Sequence, residues 1–366
     1  MHVIVRLETD EGLVGLGEMS DLDCYRMYLP DLAALKVAVL EAMTGFDPTH
    51  HADLHRRLQA LMPPYLRSAA AYPPFSLGSQ VAAALDMACY DLAAKRLGVP
   101  VCDLLGGRSR GRLEMAYPLF PARSAADVPA ALDAVDGLVT DGIRRFRYYA
   151  GVDPDADEAL LDGIRGRFRD GVELKGLDFQ GRLYWKDAIR LYQRLRPYGI
   201  EMLESVSWAE DLAGMAEVRR RCDVAVSEHV SSYAQAMRLV RADAVDVLNV
   251  MHNSGGLWGA SRLLALADMA GLKCLLGTTQ ELAIGTAAVA HLGASAAELH
   301  LPGDAVGPLL YLDDVVAGGV RYDGTALEVP EGPGLGVTID EDALSAAAGS
   351  LIEWNRPAHA AGYVGQ

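Results

Sequence analysis

The sequence predicts an α/β protein, a closed parallel barrel of alternating strands and helices that follows a smaller N-terminal region. From about Leu113 onwards, short apolar runs alternate with amphipathic helical patterns. Between Tyr149 and Leu276 the far ends of successive runs lie roughly 20 to 30 residues apart, which is the length of one strand–helix unit. About seven or eight such units favour a closed barrel over an open sheet. No glycine-rich phosphate-binding motif follows an early strand, which argues against nucleotide binding.

The N-terminal region is predicted as a hairpin followed by three helices. Apolar residues alternate within residues 3–18 around an Asp10-Glu11-Gly12 turn. Helical patterns follow at about Asp31–Met43, His50–Leu61 and Leu77–Leu97. Barrel strands are predicted at the apolar runs Glu114–Leu119, Arg145–Tyr149, Val172–Asp178, Glu201–Glu204, Val224–Glu228, Ala244–Val250 and Leu272–Leu276. The turn-rich segment 332–340 is predicted to fold back onto the N-terminal region.

Composition narrows the class of protein. Hydrophobic residues make up 51% of the 366 residues, which excludes wholesale disorder. The formal net charge of -16 excludes the basic surface that nucleic acids and anionic membranes require. Neither a basic leader with an apolar core nor an apolar run of membrane-spanning length occurs, and the five cysteines are scattered. We therefore expect a soluble cytoplasmic protein without a disulfide or zinc framework that acts on a small molecule.

Polar side chains stand at the ends of successive predicted strands. The third run ends at Asp178, the fourth at Glu204, and the fifth at Glu228 and His229. Strand ends in such a barrel meet at the face that carries the active site. Oxygen and nitrogen donors converging there suit a hard divalent cation. The alternative for each residue is that it caps the N-terminus of the following helix. Because such residues occur in three successive strand–helix units, the metal-ligand interpretation is favoured over the capping one.

Arg147 and Tyr149 share one face at the end of the second run. A phenol has an ordinary pKa of about 10 and is a poor base unless a neighbouring cation favours the phenolate. The guanidinium of Arg147 is suitably placed to do this. The alternative is that both side chains only extend their polar tips from the core to water.

Several motifs together resemble the enolase superfamily, in its mandelate racemase and muconate lactonizing branch. They are Thr9–Glu18 in the hairpin, Ala83–Lys95 followed by Leu104–Gly107, the glycines 255 and 256, and Gly332–Gly336. The resemblance implies a modified TIM barrel, (β/α)7β, with an α+β capping domain built from the N-terminal region and the C-terminal tail. The expected limits are 1–110 for the capping domain, 111–325 for the barrel and 326–366 for the returning segment. Family habit further implies a homo-oligomer.

One departure from the family pattern points to a particular member type. Most relatives carry Lys-x-Lys at the end of the second strand, where this chain has Arg147-Tyr148-Tyr149. The usual sixth-strand base falls on Val250 and the racemase histidine falls near Gly277, so two-base racemisation is not expected. The Arg-x-Tyr arrangement is similar to the galactarate dehydratase type, which uses a Tyr–Arg dyad. The likeness extends to Ser227-Glu-His-Val230.

What this resemblance implies is a Mg²⁺-dependent hydro-lyase. Asp178, Glu204 and His229 would bind Mg²⁺, with Glu228 as the alternative to His229. Tyr149, kept anionic by Arg147, would take the α-proton of an acid sugar such as galactarate, and loss of water would give a 2-keto-3-deoxy acid. The alternatives are a superfamily lyase acting on another hydroxy acid, or a catalytically silent member that only binds carboxylates.

Other positions carry weaker expectations. Tyr72 and Tyr65 are the candidates for the general acid, and packing against nearby prolines is the alternative for each. Asp21 matches one ligand of a second metal site, but Cys24 stands where its histidine would be, so that site is not expected. Further candidates are His252, either in substrate contact or as a rim histidine, and Glu281, which either orients a neighbour or favours a helix N-terminus. Lys175 is expected to face away from the metal ligands, because its spacing from Asp178 is odd.

Overall fold

The N-terminal part begins with the predicted hairpin, in a computed structural model that describes residues 1–20, 22, 32–61 and 77–348. Strand β1 (Val3–Glu8) pairs antiparallel with β2 (Val14–Met19). The described residues continue with helices α1 (Leu32–Met43), α2 (His51–Leu61) and α3 (Leu77–Leu97). Strand β2 packs so closely on α3 that a Cβ at Gly15 or Gly17 would collide with the helix backbone. These two glycines therefore set the distance between hairpin and helix.

Seven parallel strands form the barrel, hydrogen-bonded in sequence order. After the short helix α4 (Val101–Leu104) and the short strand β3 (Arg112–Leu113), the barrel strands are β4 (Tyr117–Leu119), β5 (Arg145–Tyr149), β6 (Glu173–Asp178), β7 (Met202–Glu204), β8 (Ala225–Val230), β9 (Val247–Val250) and β10 (Lys273–Leu276). The helices between and after them are α5 (Val128–Thr140), α6 (Pro154–Phe168), α7 (Trp185–Leu195), α8 (Leu212–Arg221), α9 (Tyr233–Arg241), α10 (Gly256–Met269) and α11 (Ala283–Ser295).

An eighth, strand-like segment at residues 300–304 closes the barrel. On one side, the amide of Asp304 donates to the carbonyl of Leu276 at the end of β10. On the other side, Gly303 forms a parallel bridge with Met115, just before β4. The barrel thus follows the expected (β/α)7β pattern, and the predicted fold class is confirmed.

The chain then returns to the N-terminal part. Strand β12 (Ala326–Glu328) pairs with β11 (Tyr322–Asp323) and with β3, and helix α12 (Glu341–Ala347) follows. The buried carboxylate of Asp91 on α3 accepts hydrogen bonds from the amides of Leu16 in β2 and Leu335 in the returning segment. One side chain thereby ties together the hairpin, the long helix and the turn-rich tail. The proposed domain limits stay a prediction.

Predicted and observed elements agree closely up to and through the barrel. Helix α2 begins one residue later than expected, β4 and β9 each begin three residues later, and β8 continues past Glu228 to Val230. In the part of the chain that the structure describes, no helix is long and apolar enough to cross a membrane. Four residues discussed above lie outside the described residues: the general-acid candidates Tyr65 and Tyr72, and Asp21 and Cys24 of the metal site that is not expected.

Candidate active site

Arg147 and Tyr149 share one face of β5, as alternation predicts, and this face is turned towards the barrel interior. Nη2 of Arg147 donates a hydrogen bond to the phenolic oxygen of Tyr149 at 2.5 Å, and the guanidinium carbon lies 4.8 Å from the centre of the same ring. Tyr148 points to the opposite face, where its hydroxyl donates to Asp157 on α6 at 2.6 Å. Tyr149 is therefore the tyrosine of this strand that reaches the interior.

Acidic side chains surround the guanidinium of Arg147. Its Nη1 lies 3.3 Å from Glu204 Oε1, 3.2 Å from Asp304 Oδ2 and 4.0 Å from Asp178 Oδ2. Burial acts to lower the pKa of Arg147, but Asp304 and the other acids outweigh it and raise that pKa well above its ordinary value. The guanidinium thus stays charged, and carboxylates on three sides fix its orientation.

The three expected metal ligands lie on neighbouring strands at one end of the barrel. Asp178 ends β6, Glu204 ends β7 and His229 is the penultimate residue of β8. Nε2 of His229 lies 3.0 Å from Glu204 Oε1, and Glu204 Oε2 is buried without a hydrogen-bond partner. Glu228, the alternative ligand, accepts hydrogen bonds from Ser205 Oγ and from the backbone amide of His229. The histidine ring therefore lies against Glu204.

Electrostatics around these donors favour an added positive charge. Burial and then the neighbouring carboxylate of Glu204 raise the pKa of Asp178 to about 7. Burial also acts to raise the pKa of Glu204, but Arg147 and His229 lower it below its ordinary value. Burial acts to lower the pKa of His229, while Glu204 raises it, and the net direction is upwards. Two carboxylates thus lie in one buried region, where the positive charges of Arg147 and His229 stabilise the ionised form of Glu204.

The donor set fits a hard divalent cation in its chemistry. Carboxylate oxygens with one imidazole nitrogen suit such ions, and Glu204 Oε2 is a buried oxygen without a partner. Among the described residues, however, no three acidic, histidine or cysteine side chains already stand together as a coordination shell. The strands bring the three residues to one end of the barrel, but their side chains do not form a coordination shell.

The position of Lys175 corrects the expectation from alternation. Its Nζ donates to Asp304 Oδ1 at 2.7 Å inside the barrel, and each of the two residues is 1% exposed. The register between β5 and β6 shifts here: Phe146 pairs with Leu174 and Arg147 with Gly176, so Lys175 is an extra residue. A bulge of this kind breaks the two-residue period, and the lysine therefore turns inwards.

A second buried polar group lies at the exits of β9 and β10. Glu281 Oε2 accepts hydrogen bonds from Thr278 Oγ1 and from the amide of Thr279, whose hydroxyl lies 3.5 Å from His252 Nε2. Burial lowers the pKa of His252 more than Glu281 raises it. His252 is thus a buried histidine behind a threonine and a carboxylate, and its role in substrate contact stays a prediction.

The carboxylate at the start of α11 comes from the N-terminal part of the chain. Glu18, in β2, accepts hydrogen bonds from the amides of Leu282 at 2.7 Å and Gly285 at 2.8 Å. Its oxygen Oε1 also lies 3.0 Å from His2 Nδ1. The carboxylate that caps the N-terminus of α11 is thus that of Glu18, more than 260 positions earlier in the chain. Glu281 had been considered for this role.

Comparison with known proteins agrees with this architecture. Residues 1–106 match the family described as the mandelate racemase/muconate lactonizing enzyme N-terminal domain, and residues 130–343 match the enolase C-terminal domain-like family. A muconate cycloisomerase from Pseudomonas fluorescens superposes with a TM-score of 0.81 at 25% identity, covering 94% of this chain and 93% of that one. The match therefore extends over both parts of the fold.

Similar sequences include two bacterial enzymes. N-succinyl-L-Arg/Lys racemase of Bacillus cereus is 26% identical, with 93% of this chain and 89% of the racemase covered. L-Ala-D/L-Glu epimerase of Bacillus subtilis is 29% identical, with 92% and 88% covered. These names support the branch, and the likeness to the galactarate dehydratase type stays a prediction. The chain belongs to the enolase superfamily, in its mandelate racemase and muconate lactonizing enzyme branch.

Proposed function

We propose that this protein is a Mg²⁺-dependent enzyme that removes the proton next to a carboxylate group and eliminates water from an acid sugar. The observation that carries the proposal is the contact between Arg147 and Tyr149 at the inner face of β5. A phenol beside a permanently charged guanidinium is a base of suitable strength in a barrel where the usual lysine pair is replaced. The preferred substrate is galactarate or a similar diacid.

The reaction follows from what each side chain does. Tyr149 Oη, as the phenolate, accepts the α-proton of the substrate. Arg147 donates from Nη2 to that oxygen, while Asp304 and Glu204 hold its other terminal nitrogen. Departure of the neighbouring hydroxyl as water leaves an enol, which tautomerises to a 2-keto-3-deoxy acid. The proton for the leaving hydroxyl comes from a separate general acid, for which Tyr65 and Tyr72 stay the candidates.

Asp178, Glu204 and His229 are the residues that would hold Mg²⁺. The ion would supply positive charge beside the substrate carboxylate, which gains electron density when the α-proton leaves. The buried, unpartnered oxygen of Glu204 and the raised pKa of Asp178 support this assignment. Glu228 stays the alternative to His229.

A second candidate is a one-base isomerisation or lactone-forming reaction on another carboxylate. It is favoured by the similarity to a racemase, an epimerase and cycloisomerases. In this candidate, too, Tyr149 would exchange a proton with a carbon next to a carboxylate group. The two candidates differ in whether water is lost from the substrate.

One experiment separates them. The enzyme is incubated with Mg²⁺ in deuterium oxide with a panel of mono- and diacid sugars, N-succinyl amino acids, Ala–Glu dipeptides and muconate. Proton NMR then reports α-deuteration, and a colour assay reports 2-keto-3-deoxy acids. We expect keto-acid formation from a diacid sugar. Deuteration or isomerisation confined to the amino-acid or muconate substrates would refute the dehydratase proposal, and ligand-induced stabilisation without any exchange would indicate a silent carboxylate binder.

A further inference from the structure

A lysine that belongs to none of the roles above lies beneath the Arg147–Tyr149 pair. Lys175 contacts Asp304 Oδ1 at 2.7 Å, and Asp304 Oδ2 lies 3.2 Å from Nη1 of Arg147. The other terminal nitrogen of Arg147 donates to Tyr149. The four side chains therefore form one buried chain of contacts from Lys175 to the phenolic oxygen.

The lysine decides how Asp304 binds the arginine. Carboxylates and guanidinium groups prefer a two-pronged contact, in which both oxygens meet two nitrogens. Lys175 occupies one oxygen of Asp304, so the carboxylate holds Arg147 through the remaining oxygen. Nη2 of Arg147 is thereby left for Tyr149. Without the lysine, Asp304 could take both nitrogens and draw the guanidinium away from the phenol.

Charge leads to the same conclusion. Asp304, Glu204 and Asp178 all place negative charge around Arg147, which weakens the attraction that the guanidinium offers a phenolate at Tyr149. Lys175 adds one positive charge beside Asp304, at a place where the side chains of Lys175 and Asp304 are 0% and 1% exposed. Charges are poorly screened at such depth, so this added charge acts on the neighbouring phenol.

A β-bulge in β6 turns Lys175 towards the barrel interior. The bulge at Lys175 turns a side chain inwards that regular alternation would place outside. The bulge also requires the next residue to be glycine, since a Cβ at Gly176 would lie 2.6 Å from the carbonyl oxygen of Met202 on β7. Stability alone does not account for such an arrangement, because buried ion pairs are often no more stabilising than apolar residues of similar volume.

We propose that Lys175 is a positioning residue that holds Arg147 towards Tyr149 through Asp304. This proposal rests on the proposed function, in which Tyr149 is the base. Lys175 itself contacts neither the phenol nor the substrate in this scheme. Its removal should therefore impair the chemical step and leave substrate binding in place.

The test compares Lys175→Met with Lys95→Met. Lys95 pairs with the buried Asp91 at the same distance of 2.7 Å, but on α3 and with its own side chain 24% exposed, so its loss reports the cost of breaking a partly buried pair elsewhere. On the acid that the wild type turns over fastest, Lys175→Met should lower kcat by about 30-fold or more, with KM changed less than about threefold. Lys95→Met should keep kcat within about twofold, and Lys175→Arg should recover at least part of the lost rate.

A second readout needs no substrate. Protein expressed with 3-fluorotyrosine gives a fluorine NMR signal for each tyrosine. The signal that is missing from Tyr149→Phe belongs to Tyr149. We expect this signal to shift in Lys175→Met and to stay in place in Lys95→Met. If the wild type turns over no acid in the panel, the proposed function fails while this comparison still decides the role of Lys175.

A further variant keeps the test possible if Lys175→Met does not fold. If Lys175→Met does not fold because it removes the cation beside Asp304 Oδ1, the double variant Lys175→Met/Asp304→Asn removes both charges and takes its place in each comparison. An unshifted Tyr149 signal together with a wild-type kcat in the folded variant would overturn the proposal. A shifted signal with a lowered kcat supports it.

Discussion

The phenolic oxygen of Tyr149 accepts a hydrogen bond of 2.5 Å from Nη2 of Arg147, two residues earlier on the same strand. The carboxylates around the guanidinium hold it in this place, so the contact belongs to a fixed network and not to a flexible pair. Both members of the pair lie on one strand, and the guanidinium favours loss of the phenolic proton. The consequences for activity are testable with single-atom changes.

Replacing Tyr149 by Phe should remove turnover and leave the fold intact. The change deletes only the hydroxyl that receives the proton, and a positioned base contributes about 10²- to 10⁴-fold to a rate. We expect kcat to fall by about 10³-fold, with little change in KM and in the affinity for Mg²⁺. Steady-state kinetics on the substrate identified in the panel, with titration calorimetry for the ion, measures both.

Tyr148→Phe is the matched control for this change. Its hydroxyl makes a buried hydrogen bond to Asp157 on the outer side of the same strand. The variant should therefore lose about 1–2 kcal/mol of unfolding free energy and keep kcat within about threefold. Equal rates for the Tyr149 variant and the wild type would remove Tyr149 from the proposed role.

His229 and Glu228 make different predictions for metal binding. If His229 is the ligand, His229→Asn should weaken Mg²⁺ binding by about 100-fold, whereas Glu228→Gln should weaken it by at most about tenfold. The reason is that the ring of His229 contacts Glu204, while Glu228 is bonded to Ser205 and to the backbone. Calorimetric titration of each purified variant with MgCl₂ gives the two affinities. The reverse order would make Glu228 the ligand.

Strand periodicity was sufficient to predict much of this site. Alternation along β5 places Arg147 and Tyr149 on one face and Tyr148 on the other, as the structure has them. The ends of the apolar runs likewise identify the strands on which Asp178 and Glu204 lie. Such inferences succeed because side-chain direction in a regular strand depends only on local spacing.

Two parts of the site could not be found in this way. Lys175 lies at a bulge, and a bulge is visible only when two strands are compared in register. Asp304 belongs to a segment without a clear apolar run, which becomes strand-like only because it closes the barrel between β10 and β4. In both cases the decisive interaction joins residues that are distant in sequence.

Glu18→Gln should destabilise the protein at neutral pH by about 1–3 kcal/mol, because the buried carboxylate caps α11 through the amides of Leu282 and Gly285. Burial acts to raise the pKa of Glu18, but His2 and these amides outweigh it and leave the pKa below its ordinary value. The unfolded chain therefore takes up the proton first as the pH falls. The stabilisation is present above about pH 4.5 and is lost as the pH falls through the folded-state pKa.

Urea unfolding of the wild type and of Glu18→Gln at several pH values checks this prediction. The difference between the two should be largest near neutrality and shrink in acid. Glu11→Gln serves as the control, because this glutamate lies in the same hairpin but is exposed and, within the described part of the chain, forms an ion pair with Arg96. It should change stability by less than about 0.5 kcal/mol. A difference that grows in acid would contradict the role of Glu18.

Gly256→Ala should loosen the contact between the N-terminal helices and the barrel. Gly256 begins α10 with φ +67°, and an added Cβ would lie 2.6 Å from Cβ of Asp86 on α3. Asp86 is the buried anchor of this contact, since it accepts hydrogen bonds from His51 and His55 on α2 and from the amide of Trp258 on α10. Displacing its side chain would weaken all of these bonds together.

Gly271→Ala separates this collision from backbone strain. Gly271 has the same φ of +67°, but an added Cβ there meets nothing within 4 Å. Its replacement should therefore cost only the strain of a left-handed alanine, about 1–2 kcal/mol. Gly256→Ala should cost about 1–3 kcal/mol more, the usual penalty of overpacking, and should expose α2 to protease. Equal losses of unfolding free energy in the two variants, measured by urea unfolding, would show that the Asp86 side chain can move aside without destabilising the protein. Asp86 would then not anchor α2 to the barrel.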